Sequence, residues 1–243
     1  MSHSWLYYPE GAMKMRLIGQ LFLTKAIEVC IINNWQVVSA NTDGIEVLVP
    51  KNMLQQYEDI LNMTARKFNL DFEHEYYNKI IYKNVNNYIA VTKDGKFKQK
   101  GLFVYKSVLG NSCDTNVVAK ALEAYYTQDI QPRDFITNPT KYDLHIYDFC
   151  KSNKIGKDFN VLHNGVIQQQ LNRYYFSRKG AYLYKRKKDG KTLQHVNVGN
   201  PVILFNEYKD IPWDQYNIDV GYYINATLKI IEEIANFNQL KLF

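Results

Sequence analysis

Two short runs rich in β-formers, WQVVSA (35–40) and IEVLV (45–49), are separated only by Asn41-Thr42-Asp43-Gly44. Asn, Asp and Gly suit tight turns for reasons of backbone geometry, so the two runs are predicted to close an antiparallel hairpin. The flanking segments must pack on that hairpin. Upstream, Pro9 suits a helix start, and Met13, Leu17, Leu21, Ala26, Val29 and Cys30 recur near helical spacing, which predicts one long helix from Glu10 to Asn33. Downstream, Pro50 opens a second helix through Lys67, FEHEYYNKIIYK (72–83) reads as a strand, and NYIAVT and FKQKGLFVY flank Asp94-Gly95 as a second hairpin.

Beyond about Lys106 the pattern changes. Helices are expected at Thr115 to Thr127, Asp143 to Lys151 and Gly165 to Leu171, broken by the loops NSCD, QPRD and TNPT. RYYFS and AYLYKRK flank Arg178-Lys179-Gly180 as a β-rich pair, and an amphipathic helix, roughly Val220 to Asn236, closes the chain. The fold class expected is α+β, with a domain boundary near 105 to 112.

Charge adds a hint about partners. There are 30 Lys and Arg against 24 Asp and Glu, and 20 tyrosines among 243 residues, a mildly basic, aromatic composition compatible with a polyanion. Cys30, Cys113 and Cys150 are far apart, with no CxxC and no His at ligand spacing, so neither a disulfide framework nor a zinc site is indicated and a reducing cytoplasm fits. No apolar run approaches the roughly 18 residues a membrane span needs. The five histidines share no motif, which leaves Ser/His/Asp or Cys/His catalysis without support.

The turn carries the sharpest chemical signal, because it would lift the Asp43 carboxylate to a sheet edge, where Mg²⁺ could meet it as an oxygen ligand. The plainer reading is that Asn-Thr-Asp-Gly is simply a good turn. A second signal is the basic run from Lys151 to Lys191, which includes Arg173, Arg178, Lys179, Lys185 and Arg186 and is interleaved with Tyr174, Tyr175, Tyr182 and Tyr184. The cations suit phosphates and the rings could pack on sugars or bases, although alternating aromatics also make strand cores.

The order long helix, strand, NTDG, strand, helix, then VNNYIAVTKDGKFKQKG resembles the second half of the palm of family B DNA polymerases of the bacteriophage type. The resemblance implies that 1–106 is the C-terminal part of a palm with an antiparallel sheet and packed helices. It implies that 107–243 is a mainly helical thumb containing a basic β-hairpin. In that family the turn is typically Asp-Thr-Asp-Ser and its second Asp is a metal ligand, which falls on Asp43, with Thr42 beside it toward the nucleotide; Asn41 and Gly44 depart from the pattern. A Lys-x-Tyr element and a Lys-rich hairpin grip the primer-template duplex, and the matching positions are Asn86, where Lys is usual, Tyr88, Lys96, Lys98 and Lys100. The thumb's Arg173, Arg178, Lys179, Lys185 and Arg186 would follow the duplex, and Glu73 or Glu75 would lie near the metals.

Two-metal phosphoryl transfer needs carboxylates from two places. The family's other acidic motif, near Asp-x-x-Ser-Leu-Tyr-Pro, and its nucleotide-binding Lys-x-x-x-Asn-Ser-x-Tyr-Gly helix are not found in these 243 residues. The expectation is therefore a C-terminal subunit or fragment of a DNA-directed DNA polymerase. Its partners would be Mg²⁺, dNTP, primer-template DNA and an N-terminal polymerase chain carrying exonuclease, fingers and the other catalytic Asp. A non-catalytic DNA-binding accessory protein derived from a polymerase is the alternative, and a basic α+β RNA-binding domain is the third reading.

Overall fold

Pro9 occupies the first turn of α1 (Pro9–Ile32), where its missing N–H has no helical partner to lose. The helix stops at Asn33 and Asn34. Asn34 takes φ 57°, its N–H donates to Ile31 O at 3.0 Å, and the Trp35 N–H donates to Cys30 O at 2.9 Å. That is a left-handed cap of the Schellman type, built on Asn where Gly is commoner, and it drops Trp35 straight into the core. The chain continues through β1 (Gln36–Ala40), β2 (Ile45–Leu48), a 3-10 turn (Lys51–Met53) and α2 (Leu54–Arg66).

The structure is a computed structural model that describes residues 7–41, 44–107, 113–190, 193–196 and 199–239. It divides into two units, Met1–Tyr76 and Tyr77–Phe243. In the first, Ala26, Cys30, Trp35 and Leu61 form one core cluster and Phe22, Leu23 and Ala65 another, so α1 holds both the hairpin and α2. Trp35 meets Tyr57 edge-on with ring centroids 5.2 Å apart. Burial pushes the Cys30 thiol up to about 11, the behaviour of an inert packing residue. Met13, Met15, Leu17, Ile18 and Leu21 of α1 are each more than half exposed.

The strand expected over 72–83 starts only at Tyr77. Residues 70–76 lack regular structure, and three of their side chains, those of Phe72, His74 and Tyr76, are tied to α1 and α2. Phe72 lies 5.0 Å from Phe22, His74 is 3.2 Å from the Asn62 side-chain oxygen, and the Tyr76 hydroxyl donates to the Glu58 carboxylate. A backbone held along a helix in this way is not free to pair.

The second unit comprises β3 (Tyr77–Asn84), β4 (Asn87–Thr92), β5 (Phe97–Lys100), α3 (Asn116–Gln128), α4 (Pro132–Thr137), α5 (Ile146–Phe149), β6 (Lys151–Lys154), β7 (Phe159–His163), β8 (Val166–Gln168), β9 (Leu171–Ala181), β10 (Leu183–Lys187), β11 (Leu193–His195), β12 (Val202–Leu204) and α6 (Val220–Gln239). Its sheets run β3-β4-β5, β12-β9-β6 and β11-β10-β7-β8. The chain is α+β, as expected, and all strand pairings among the described residues are antiparallel.

Ile81, Ile89 and Phe103 share a buried cluster with Leu122 of α3 and Ile234 of α6. The compact units consequently part at Tyr76, while residues 105 to 112, the expected boundary, fall within the second unit. The larger core gathers Tyr174, Tyr175 and Phe176 of β9 with α3, α4, α5 and α6.

Three expected elements past Lys106 are corrected. Gly165 to Leu171 is not a helix: Asn164 and Gly165 both take positive φ, 50° and 76°, and form the two-residue turn of a β7–β8 hairpin with His163 opposite Val166. Asn-Gly is the strongest short hairpin signal and here it overrides helical spacing. Asp143 to Lys151 is helical only over Ile146–Phe149. His145 caps it, its Nδ1 accepting the Tyr147 N–H at 3.2 Å while the Asp148 carboxylate accepts the His145 N–H at 2.9 Å, and β6 begins at Lys151. RYYFS and AYLYKRK are not partners in one hairpin: β9 runs through Gly180 to Ala181 and pairs with β6 and β12, while β10 pairs with β7 and β11. Gly180 is required by close approach rather than by a turn, since a Cβ there would lie 2.3 Å from Val202 O.

Candidate nucleic-acid interface

The NTDG hairpin forms. Ala40 pairs with Ile45, the Asn41 N–H donates to Gly44 O at 3.0 Å, and the Gly44 N–H donates to the Asn41 Oδ1 at 2.9 Å. Asn41 therefore closes the turn with the side-chain oxygen that, in the family pattern, would belong to an acid. Thr42 and Asp43 lie outside the described residues. Among the described residues no group of three or more His, Cys, Asp and Glu side chains could hold a metal ion. Glu73 and Glu75 are both exposed, in the irregular segment before β3.

The second set of expected residues sits on the β3-β4-β5 sheet. Tyr88 of β4 lies opposite Tyr82 on one side and Lys100 on the other, and Ala90, two residues along, lies opposite Lys98. Side chains alternate along a strand, so Tyr82, Tyr88, Lys98 and Lys100 share one face, while Ile81 and Ile89 take the other, toward α3 and α6. The two tyrosine rings are 5.6 Å apart and Lys98 and Lys100 are exposed. Lys96 is at the turn, where its Nζ is 2.8 Å from Asp94. Lys96 and the Thr92 hydroxyl together hold the Asp94 carboxyl at about 2, so Lys96 already faces an anion.

Asn86, the position where the family usually has Lys, is exposed in the β3–β4 turn, its N–H donating to Asn84 Oδ1 at 3.0 Å. Its neighbour does the structural work: Asn87 Oδ1 accepts the Leu102 N–H at 2.9 Å. Gly101 takes φ 65°, and a Cβ there would lie 2.2 Å from that same Oδ1. The Asn-Asn and Lys-Gly portions of the motif are thus one clamp that ties β4 to the end of β5.

The thumb-like cations separate. Arg173 is half-buried on β9, with its guanidinium carbon 4.7 Å from the Tyr147 ring centroid, and its positive charge pulls the Cys113 thiol down against the larger upward pull of burial. It is bound into the fold more than offered to a ligand. Arg178 is exposed and its Nε is 3.2 Å from the Asp219 carboxylate, while Lys179 is exposed at the end of the same strand. Lys185 and Arg186 lie on β10 in the other sheet: Lys185 turns toward Phe159, 5.3 Å from its ring centroid, and Arg186 is exposed.

The aromatics divide as well. Tyr174 and Tyr175 are core residues, 0% and 3% exposed, whereas Tyr182 is 45% exposed and Tyr184 half-buried. The ring of His195, which its place in the sequence did not single out, lies 4.4 Å from Tyr184. Only the register that sets β11 against β10 reveals that proximity, and the two residues are too far apart in sequence for spacing to show it.

No family model matches the chain, and a search of curated proteins finds none similar to it. No helix among the described residues is long and apolar enough to cross a membrane.

Proposed function

We propose that this chain is the C-terminal part of a DNA-directed DNA polymerase of the family B type, contributing Asp43 to a two-metal site and basic surfaces to the grip on primer-template DNA. The observation that carries the reading is the hairpin at 36–48, bonded end to end at Asn41 and Gly44 around the Thr42-Asp43 pair and packed on α1. The sheet face of Tyr82, Tyr88, Lys98 and Lys100 adds support, because it sets Lys100 opposite Tyr88 of the tyrosine pair and Lys98 two residues further along the same edge strand.

In this reading Asp43 is one carboxylate toward Mg²⁺, an ion that prefers oxygen ligands and usually takes only one or two from protein. Bound there, Mg²⁺ would lower the pKa of a primer 3′-hydroxyl and brace the charge of the incoming dNTP. A second segment, on a partner polypeptide bearing the other catalytic Asp, the fingers and the exonuclease, completes the site. The setting is the cytoplasm, that of a bacterial host for a viral protein. Primer extension with Mg²⁺ tests the proposal: the chain alone gives no product, and activity supplied by an upstream partner requires this chain and is lost with Asp43→Ala.

One observation favours a second reading, a non-catalytic DNA-binding accessory protein. The Asn41 oxygen is occupied by the Gly44 N–H, which leaves the turn with a single acid where the family has two. That reading expects duplex binding that falls steeply with salt and is indifferent to Mg²⁺ and to Asp43→Ala.

A further inference from the structure

In the four-stranded sheet β11-β10-β7-β8 the two central strands bury apolar residues on one face and carry half-buried or exposed ones on the other. Val161 and Leu183, cross-strand neighbours along the inner face, are 0% and 2% exposed. On the outer face the register lines up His195, Tyr184, Leu162 and Ile167 in a single row across all four strands. Ile167 is 65% exposed. Tyr182 joins the row's aromatic end, with its ring 5.4 Å from His195 and 6.3 Å from Tyr184.

We infer that this face binds an unpaired nucleic-acid strand, its bases stacking on Tyr182, Tyr184 and His195 while Arg186 meets a phosphate. Of the three clustered rings two are exposed and Tyr184 is half-buried, so they contribute less to folding than the same rings would in the core, and a sequence-tolerant stacking surface is what they form. Four strands at about 4.8 Å spacing make the row about 14 Å long, room for more than one base. Arg186 is on the same face, two residues along β10 from Tyr184 and therefore about 7 Å away, a separation that a nucleotide's sugar can bridge. The chain's formal charge of +6 is the complement of a phosphate backbone. An intact duplex hides its base faces in its own stack, so an unpaired strand is the form that fits.

This inference goes beyond the polymerase reading and does not rest on it: failure of primer extension would leave strand binding untouched. The test is anisotropy of short labelled oligothymidylate and oligouridylate titrated with the whole chain across a salt series. Binding of either strand is expected at low salt, and the tighter of the two identifies the sugar preferred. Tyr184→Leu, which keeps apolar area but removes the ring face, should weaken binding about tenfold, whereas Tyr184→Phe should bind like the unaltered chain. Arg186→Gln should flatten the slope of log affinity against log salt by about 0.7, the share of one phosphate in a single strand. If Tyr184→Leu melts early by circular dichroism, Tyr182→Leu, at a more exposed position, probes the same surface. Unchanged affinity in these leucine variants, or no binding of either oligonucleotide at low salt, overturns the inference.

Discussion

Replacing Tyr223 by Phe removes one oxygen atom from a fully enclosed part of the second unit. The side chain is fully buried, and its hydroxyl donates to Phe149 O at 2.7 Å while accepting the Phe176 N–H at 3.0 Å. It therefore serves a carbonyl at the end of α5 and an amide of β9 that would otherwise face apolar side chains. Tyr223→Phe keeps the ring packing, including the edge-on contact with Phe149 at 5.2 Å, so the change isolates the two hydrogen bonds. Leaving a buried backbone group unpaired costs about 1–3 kcal/mol. Two such groups with some relaxation amount to about 2–5 kcal/mol, a large share of the roughly 5–15 kcal/mol that holds an ordinary domain together. Urea unfolding followed by circular dichroism should show a lower midpoint with the slope unchanged. A loss below about 0.5 kcal/mol, less than a single net hydrogen bond, would refute the bridge, since it would mean that water or a shifted backbone satisfies both groups.

Gly101→Ala should destabilise the second unit by more than about 1 kcal/mol, because it forces a side chain into positive φ and against Asn87 Oδ1; the thermal midpoint reads it, and an unchanged midpoint would remove the clamp argument. Stability should fall as pH rises past about 10, where phenols ordinarily ionise. Burial pushes Tyr126 and Tyr175 up to about 12, and Tyr174 and Tyr223 higher still. Between those values the unfolded chain has lost protons that the folded chain keeps, so the unfolded state binds fewer protons and gains. Each group then contributes a loss of about 1.4 kcal/mol per pH unit. A melting temperature that stays flat from about pH 9 to 11 would contradict this.

Local signals were legible wherever turn chemistry and periodicity agreed. The long first helix, the NTDG hairpin and the Asp94-Gly95 hairpin could be read because each is fixed by its own residues. The errors lie where tertiary contacts or a stronger turn intervene. Residues 72–76 are β-rich, yet Phe72 and Tyr76 tie them to α-helical neighbours instead of a strand. Asn164-Gly165 overrode a helical spacing, and Gly180 looked like a turn because a sequence does not show that another strand passes within reach of its missing Cβ. The same limit applies to the candidate sites. Arg173 counted as a free cation by composition, although Tyr147, distant in sequence, occupies it, and the Tyr184–His195 pair exists only through strand register. Lys98 and Lys100 alternate with Gln99 in the sequence, a local property of a strand, but that their face also carries Tyr88 shows only through the register of β4 on β5.

In the proposed polymerase role the carboxylate of Asp43 serves phosphoryl transfer. The direct measurement is Mg²⁺-dependent primer extension by this chain mixed with a polypeptide bearing the second acidic motif, comparing the unaltered chain with Asp43→Asn. Loss of extension with primer-template binding intact is the expected result; extension at an undiminished rate by the mixture containing the Asp43→Asn chain would contradict it.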